Sequence, residues 1–306
     1  MSPVVQIKVA PPQIDSPFHL DNEKGYQLWC EQKRDNYPSK PEELLVSVSD
    51  PFHITVDERG QILSLCSKTN ISIYRTSLEG VADKEIPRAI GHAFGLNRLD
   101  PNMLADDDGI TSLQVVAGKS VRGYIPYSNK RLLWHTDGYY NTTEQQIRSI
   151  ILHCVTPASG DGGENGLLDH EMAYILLRDR NPDFIQALMA PDAMTIPANE
   201  EAAEQDRKSV TGPVFSVDSS DGSLHMRYTA RTRSIIWKDN EVTRKAVAFL
   251  GDLLENGNDY IFNYKLRAGE GLICNNVLHK RTAFENTEGA DRLLYRARYY
   301  DRIKHT

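Results

Sequence analysis

Trp134-His135-Thr136-Asp137-Gly138 decides how this chain is read, together with Asn275-Asn276-Val277-Leu278-His279 far downstream. On an extended strand successive side chains point to opposite faces, so His135 and Asp137, two positions apart, point the same way. Such a pair can grip one ion. A third imidazole, His279, delivered by a distant strand, would complete two histidines and one carboxylate on one face of a metal. The opposite face then stays open to small ligands, an arrangement that suits Fe(II) and oxygen chemistry. The spacing alone carries little information, because His19-Leu20-Asp21 repeats it in a chain with nine histidines. The case rests on what surrounds His135.

Composition narrows the classes. A chain of 306 residues can bury a substantial core. Its 40% apolar and 25% charged content is that of a soluble globular protein. No apolar run approaches the roughly eighteen residues needed to span a bilayer. The start, Met1-Ser2-Pro3-Val4-Val5-Gln6, lacks the basic flank and apolar stretch of a secretory signal, so a cytoplasmic setting is expected. A net charge of −7 disfavours nucleic acid as partner. Cys30, Cys66, Cys154 and Cys274 form no C-x-x-C pair and read as buried thiols rather than a disulfide framework or zinc knuckle.

Along the chain the pattern is α+β, mainly β. Gly25 to Asp35 suits a helix, and Glu43 to Val48 and Phe52 to Val56 suit short strands. Asp57-Glu58-Arg59-Gly60 reads as a hairpin turn before Gln61 to Cys66, with Ile71 to Tyr74 another strand, so residues 1–110 begin as a β meander. Asp83 can cap a helix from Lys84 to Phe94 that Gly95 ends, its Ile86, Ile90, Ala93 and Phe94 packing on the sheet. Thr111 to Ala117 and Arg148 to Val155 favour strands, with a loop through Tyr124 to Asn129 between them. His170 to Arg180 and Pro182 to Met189 suit two short helices. Residues 198–212 are rich in Glu, Ala, Asp and Lys and are expected to form a mobile lid or loop. Pro213 to Val217 and Leu224 to Thr229 make a hairpin, and Glu241 to Glu255 is the clearest amphipathic helix. The end is β again: Tyr260 to Leu266, Gly271 to Asn275 and Arg292 to Tyr300. No repeat and no linker interrupts the chain, so 1–306 reads as a single domain.

Gly269 to Asn276 reads as a turn feeding a strand whose far end delivers His279, and Arg292 opens a strand thirteen residues later. Arg292, Arg296 and Arg298 share one parity, and three guanidinium groups on one strand face are costly unless they meet carboxylates or water. A carboxylate ligand would resolve that cost through charge-assisted, two-pronged pairing.

With these residues in place, His135-x-Asp137, Gly162-Gly163-Glu164-Asn165 and His279 followed by Arg292 together resemble the taurine dioxygenase and clavaminate synthase group of Fe(II)- and 2-oxoglutarate-dependent oxygenases. His-x-Asp-Gly-x-Tyr, Gly-Gly-x-x-x-Leu-Leu and Asn-Asn before the distal His are similar to the glutarate hydroxylase branch. The likeness covers roughly residue 110 to the C-terminus. It implies a double-stranded β-helix, or jelly-roll, core with flanking helices. It further implies that His135, Asp137 and His279 bind Fe(II) and that Arg292 clamps the distal carboxylate of 2-oxoglutarate. The cosubstrate would be decarboxylated to succinate and CO2 as O2 is consumed and a substrate hydroxylated. Asp137 disfavours the branch that replaces this carboxylate with chloride.

One departure concerns Asn165, which stands where many relatives carry Thr or Ser against 2-oxoglutarate. An amide can still donate to a carboxylate. Arg296 could share the clamp with Arg292 or face the substrate. For the substrate, Tyr139, Tyr140, Arg231, Arg233 and Arg298 are candidates, which favours a small polar, anionic metabolite. A homo-oligomer is compatible with the sequence. Two rivals carry different chemistry: a jelly-roll binding protein without turnover, and a zinc hydrolase using the same three ligands. The Gly-Gly loop lacks the Lys and Ser or Thr of a phosphate cradle.

Overall fold

A computed structural model describes residues 4–101, 108–115, 127–198, 208–232, 235–287 and 291–306. The chain forms two compact units, each assembled from separated stretches. The first comprises Met1–Tyr37, Trp134–Gln146 and Leu168–Tyr260, and the second Pro38–Leu133, Ile147–Leu167 and Ile261–Thr306.

The second unit holds a six-stranded sheet. Its order is β2 (Leu45–Ser47), β3 (Ile71–Arg75), β14 (Glu270–Cys274), β6 (Ser149–Thr156), β16 (Leu293–Tyr299) and β4 (Ile110–Gln114). Register fixes its faces: Leu272 lies opposite Leu152, and Arg296 opposite Leu152 and Thr111. The alternate residues Tyr74, Ile151, Val155, Ile273, Tyr295, Ala297 and Tyr299 form one apolar face. Helices α2 (Val56–Thr69) and α3 (Glu85–Ala93) cover it through Ile62, Cys66 and Ile90, with Phe94 just beyond α3. Arg296 and Arg298, of the other parity, lie away from that helical layer.

Helix α2 corrects the expected meander. Strands β2 and β3 pair in parallel, which a tight hairpin cannot connect and a helical crossover can. Phe52 to Val56 and Gln61 to Cys66 are therefore not strands, and Asp57 to Gly60 is the first turn of a helix. Thr55 accepts from the Glu58 amide while the Glu58 carboxylate accepts from the Thr55 amide, a full capping box. Ile62, Cys66 and Thr69 make its buried stripe. The expected strand from Glu43 likewise begins as a 3-10 turn, Pro41–Leu44, because Pro41 opens it.

The first unit packs helices α1 (Glu23–Arg34), α4 (His170–Arg180), α5 (Pro182–Leu188) and α6 (Glu241–Glu255) with a sheet of β1 (Val4–Gln6), β9 (Ser209–Gly212), β8 (Met194–Ile196) and β12 (Ile236–Trp237). A hairpin of β10 (Phe215–Val217) and β11 (Leu224–Met226) completes it. Phe18, Tyr26, Trp29, Tyr174 and Phe215 meet edge to face in its core. Of the expected lid, residues 199–207 lie outside the described residues. Residues 209–212 are not loop: β9 pairs with β1 and β8, and Val210 is buried. The charged neighbours of Ser209-Val210-Thr211 hid their strand preference.

A last sheet sets the stage for chemistry. Its order is β13 (Ile261–Tyr264), β7 (Asn165–Leu168), β15 (Leu278–Arg281) and β5 (Leu132–His135), so the strand ending in His135 neighbours the strand carrying His279. The strand expected from Gly271 to Asn275 is β14, but His279 lies not at its far end but on a separate strand. β14 ends at Cys274, and Asn276, with φ +48°, turns the chain before β15. Among the described residues no helix is long and apolar enough to cross a membrane.

Candidate metal centre

His135 closes β5, and the backbone around it is pinned. His135 bridges to Thr229, the Thr136 amide donates to the Tyr228 carbonyl at 3.0 Å, and the Ala230 amide donates to the Trp134 carbonyl at 2.8 Å. The Trp134 indole donates to the Leu254 carbonyl at 2.9 Å. Asp137 is not on the strand, as the two-residue alternation suggested, but opens the turn that follows, with Gly138 at φ +67°. The turn nevertheless brings the pair together: His135 Nε2 lies 3.5 Å from Asp137 Oδ1. Two ligands about 2.1 Å from one ion at right angles lie about 3 Å apart, so this separation suits a shared cation.

His279 is oriented by its own backbone. Its Nδ1 sits 2.9 Å from the Val277 carbonyl, which can only accept, so Nδ1 carries the proton and Nε2 is the lone-pair donor. The turn before it is fastened by Asn276, whose amide donates to the Ile147 carbonyl at 2.7 Å, and by Asn275, which donates to Asn70 and Thr306. One ligand atom from each of His135, Asp137 and His279 lies within 4.8 Å of the other two. Two imidazoles and a carboxylate fit Fe(II) by donor type. The decoy His19 and Asp21 make a local bond, the Asp21 amide to His19 Nδ1, on the surface.

Arg292 is 4% exposed, and among the described residues no carboxylate pairs with it. Burial pushes its guanidinium down to about 10. It shares a recess with Gly163, Asn165, Lys265 and Cys154, whose thiol burial pushes up to about 12. Asn165 is buried and its amide donates to the Tyr264 carbonyl at 3.4 Å. Arg296 is buried on the same strand face as Leu294. Arg298 has a buried acid partner in Asp100, which also accepts from the Tyr300 hydroxyl, an arrangement that accounts for its burial without a ligand. Tyr139 and Tyr140 meet edge to face at 5.1 Å, half-buried. Arg231 is half-buried, and Arg233 lies outside the described residues. The sequence reading passed over Arg281 and Phe284, since nothing in their spacing ties them to Arg292.

A jelly roll with two histidines and an aspartate converging on one point defines a non-haem iron oxygenase. The chain belongs to the family described as taurine catabolism dioxygenase TauD, TfdA, which it matches over residues 78–298. That family is one of Fe(II)- and 2-oxoglutarate-dependent oxygenases, and the His135, Asp137 and His279 cluster has the donor set such a centre needs. A uridine-5'-phosphate dioxygenase of Amycolatopsis sp is 32% identical over 176 residues, spanning 55% of this chain and 60% of that protein. Among solved structures, AAD-2 with Mn(II) and N-oxalylglycine superposes with a TM-score of 0.59 at 13% identity, covering 86% of this chain and 96% of that one. PvcB, an Fe, alpha-ketoglutarate-dependent oxygenase from Pseudomonas aeruginosa, gives 0.52 at 16% identity over 79% and 80%. These relatives do not single out the glutarate hydroxylase branch.

Proposed function

We propose that the chain hydroxylates a small polar metabolite bearing an anionic group, as one catalytic domain in the cytoplasm, with release of succinate and CO2. The convergence of His135, Asp137 and His279 within 4.8 Å carries this reading. When bound there, Fe(II) supplies the oxygen activation. The chain's own residues orient and exclude: Arg292 holds the distal carboxylate of 2-oxoglutarate, with Asn165 and Arg296 as further polar contacts. Tyr139, Tyr140 and Arg231 are the substrate-side candidates. Arg298 is the weaker one, because Asp100 already meets it. Arginines beside a site that binds one anion support an anionic substrate. The Amycolatopsis relative makes uridine 5'-phosphate the first compound to try. Four free, buried cysteines support a reducing compartment.

The test is succinate formation and oxygen uptake with Fe(II) and 2-oxoglutarate across phosphorylated, carboxylated and neutral metabolites. Asp137→Ala and His135→Ala should abolish iron-dependent turnover and leave the fold intact. Unchanged turnover in both would sink the ligand assignment, and stimulation by neutral compounds alone would sink the anionic substrate.

A further inference from the structure

No acid among the described residues meets the buried Arg292, so among them something other than an ion pair fixes the direction of its guanidinium before a cosubstrate arrives. The candidate is a ring. The centroid of Phe284 lies 4.9 Å from the guanidinium carbon of Arg292 and 4.9 Å from that of Arg281, so two cations share one aromatic ring. Arg281 is anchored on its other side, donating to the carbonyls of Ser128 at 2.8 Å and Lys130 at 2.5 Å. Burial, and then the charge of Arg292, push Arg281 down to about 10.

Phe284 is itself held by the Gly-Gly motif. Gly162 forms an isolated bridge to Phe284, the Gly163 amide donates to the Ala283 carbonyl at 3.3 Å, and the Glu285 amide donates to the Asp161 carbonyl at 3.2 Å. On its other edge the Phe284 amide donates to the Asn129 carbonyl at 3.0 Å. A Cβ at Gly162 would lie 1.8 Å from the Ala283 carbonyl oxygen, and φ there is +80°, so only glycine permits this approach. A Cβ at Gly163 would stand 3.2 Å from Ala158 Cβ, 3.6 Å from Phe284 Cβ and 3.9 Å from Arg292 Nε. The two glycines thus let the 283–285 segment close in beside Arg292.

We infer that Phe284 is the positioning residue of the cosubstrate clamp, its ring aiming the Arg292 guanidinium, and that the Gly162-Gly163 turn serves to seat that ring. The inference rests on the reading of Arg292 as the clamp. A ring face attracts a cation most where water is excluded, and a guanidinium held flat keeps its fork directed at a carboxylate. A cation already fixed loses less freedom when the ligand binds, so the loss of the ring should appear in affinity rather than in turnover.

The experiment compares Phe284→Leu, Phe284→Met, Phe284→Tyr and Arg292→Met in full-length protein. Binding of 2-oxoglutarate to the Mn(II)-loaded protein without oxygen is measured by calorimetry, alongside KM and kcat with Fe(II). Phe284→Leu and Phe284→Met should weaken 2-oxoglutarate about ten-fold, the loss expected of one buried cation–ring contact, with kcat within about two-fold. Phe284→Tyr, which keeps the ring, should restore affinity. The inference fails if either apolar variant that folds binds 2-oxoglutarate like the parent, or if Phe284→Tyr binds as weakly as Phe284→Leu. Arg292→Met separates the two levels. If it too leaves binding unchanged, the clamp reading falls; if it alone weakens binding, only the role of Phe284 falls.

Discussion

Replacing Arg292 by Met should move stability and cosubstrate affinity in opposite directions. A guanidinium pushed by burial from its ordinary value down to about 10 carries a desolvation cost on the order of 3 kcal/mol, at about 1.4 kcal/mol for each tenfold change in acidity. The Phe284 ring returns about 0.5–2 kcal/mol of that. The rest is a standing cost of the unliganded protein, offset when a carboxylate arrives and makes charge-assisted bonds contributing about 1.5–3 kcal/mol. Met keeps an unbranched apolar reach and removes the charge, so the unliganded thermal midpoint should hold or rise by a few degrees. The KM for 2-oxoglutarate should rise about 30- to 100-fold, the equivalent of about 2–3 kcal/mol. Because a group titrating near 10 stays charged at neutral pH, both differences should be flat between about pH 6 and pH 8. Differential scanning fluorimetry without ligand and succinate kinetics supply the two readings. A lower midpoint with an unchanged KM would mean that Arg292 is a structural cation, and the cosubstrate assignment would be lost with it.

Two further perturbations test the buried polar groups. His153 lies in the core with its Nδ1 3.2 Å from the Tyr74 hydroxyl, and burial pushes it down to about 4. The unfolded chain therefore takes up this proton first. The neutral ring's contribution is whole above about pH 6.5 and is lost as pH falls toward about 4, on the order of 3 kcal/mol in all. Urea unfolding at pH 7 and at pH 4.5 should show a steeper loss for the parent than for His153→Leu, and parallel losses would refute the assignment. Lys33, buried, lies 2.7 Å from Asp169 and 2.5 Å from Glu171. Lys33→Met should cost about 3–5 kcal/mol by leaving both acids without this cation, and adding Glu171→Gln should recover part of it. A loss under about 1 kcal/mol for Lys33→Met alone would place the acids' compensation elsewhere.

How far the sequence reveals this fold depends on whether local pattern and long-range pairing agree. In α6 they do: an apolar stripe marks Glu241–Glu255 from local pattern alone, and the structure adds Asn240 as its cap, while the parity of Arg296 and Arg298 separates them from the Tyr295 face. Around Thr55 they conflict. Asp57 to Gly60 has the letters of a hairpin turn, and only the parallel pairing of β2 with β3 demands the crossover that makes it a helix. The metal centre divides in the same way. His135 and Asp137 are legible because a short spacing limits where they can point, although the structure uses a turn rather than a strand to bring them together. Arg281 and Phe284 are not legible, because their relation to Arg292 depends on backbone pairing of the 283–285 segment with residues 161–163 and 129, whose separation of more than a hundred positions leaves no local trace. A glycine pair is the one visible sign of that pairing. A residue without a side chain can be required for what it lets another segment approach as well as for what it touches, so the spacing of glycines in such loops should be read together with the aromatic residues they admit.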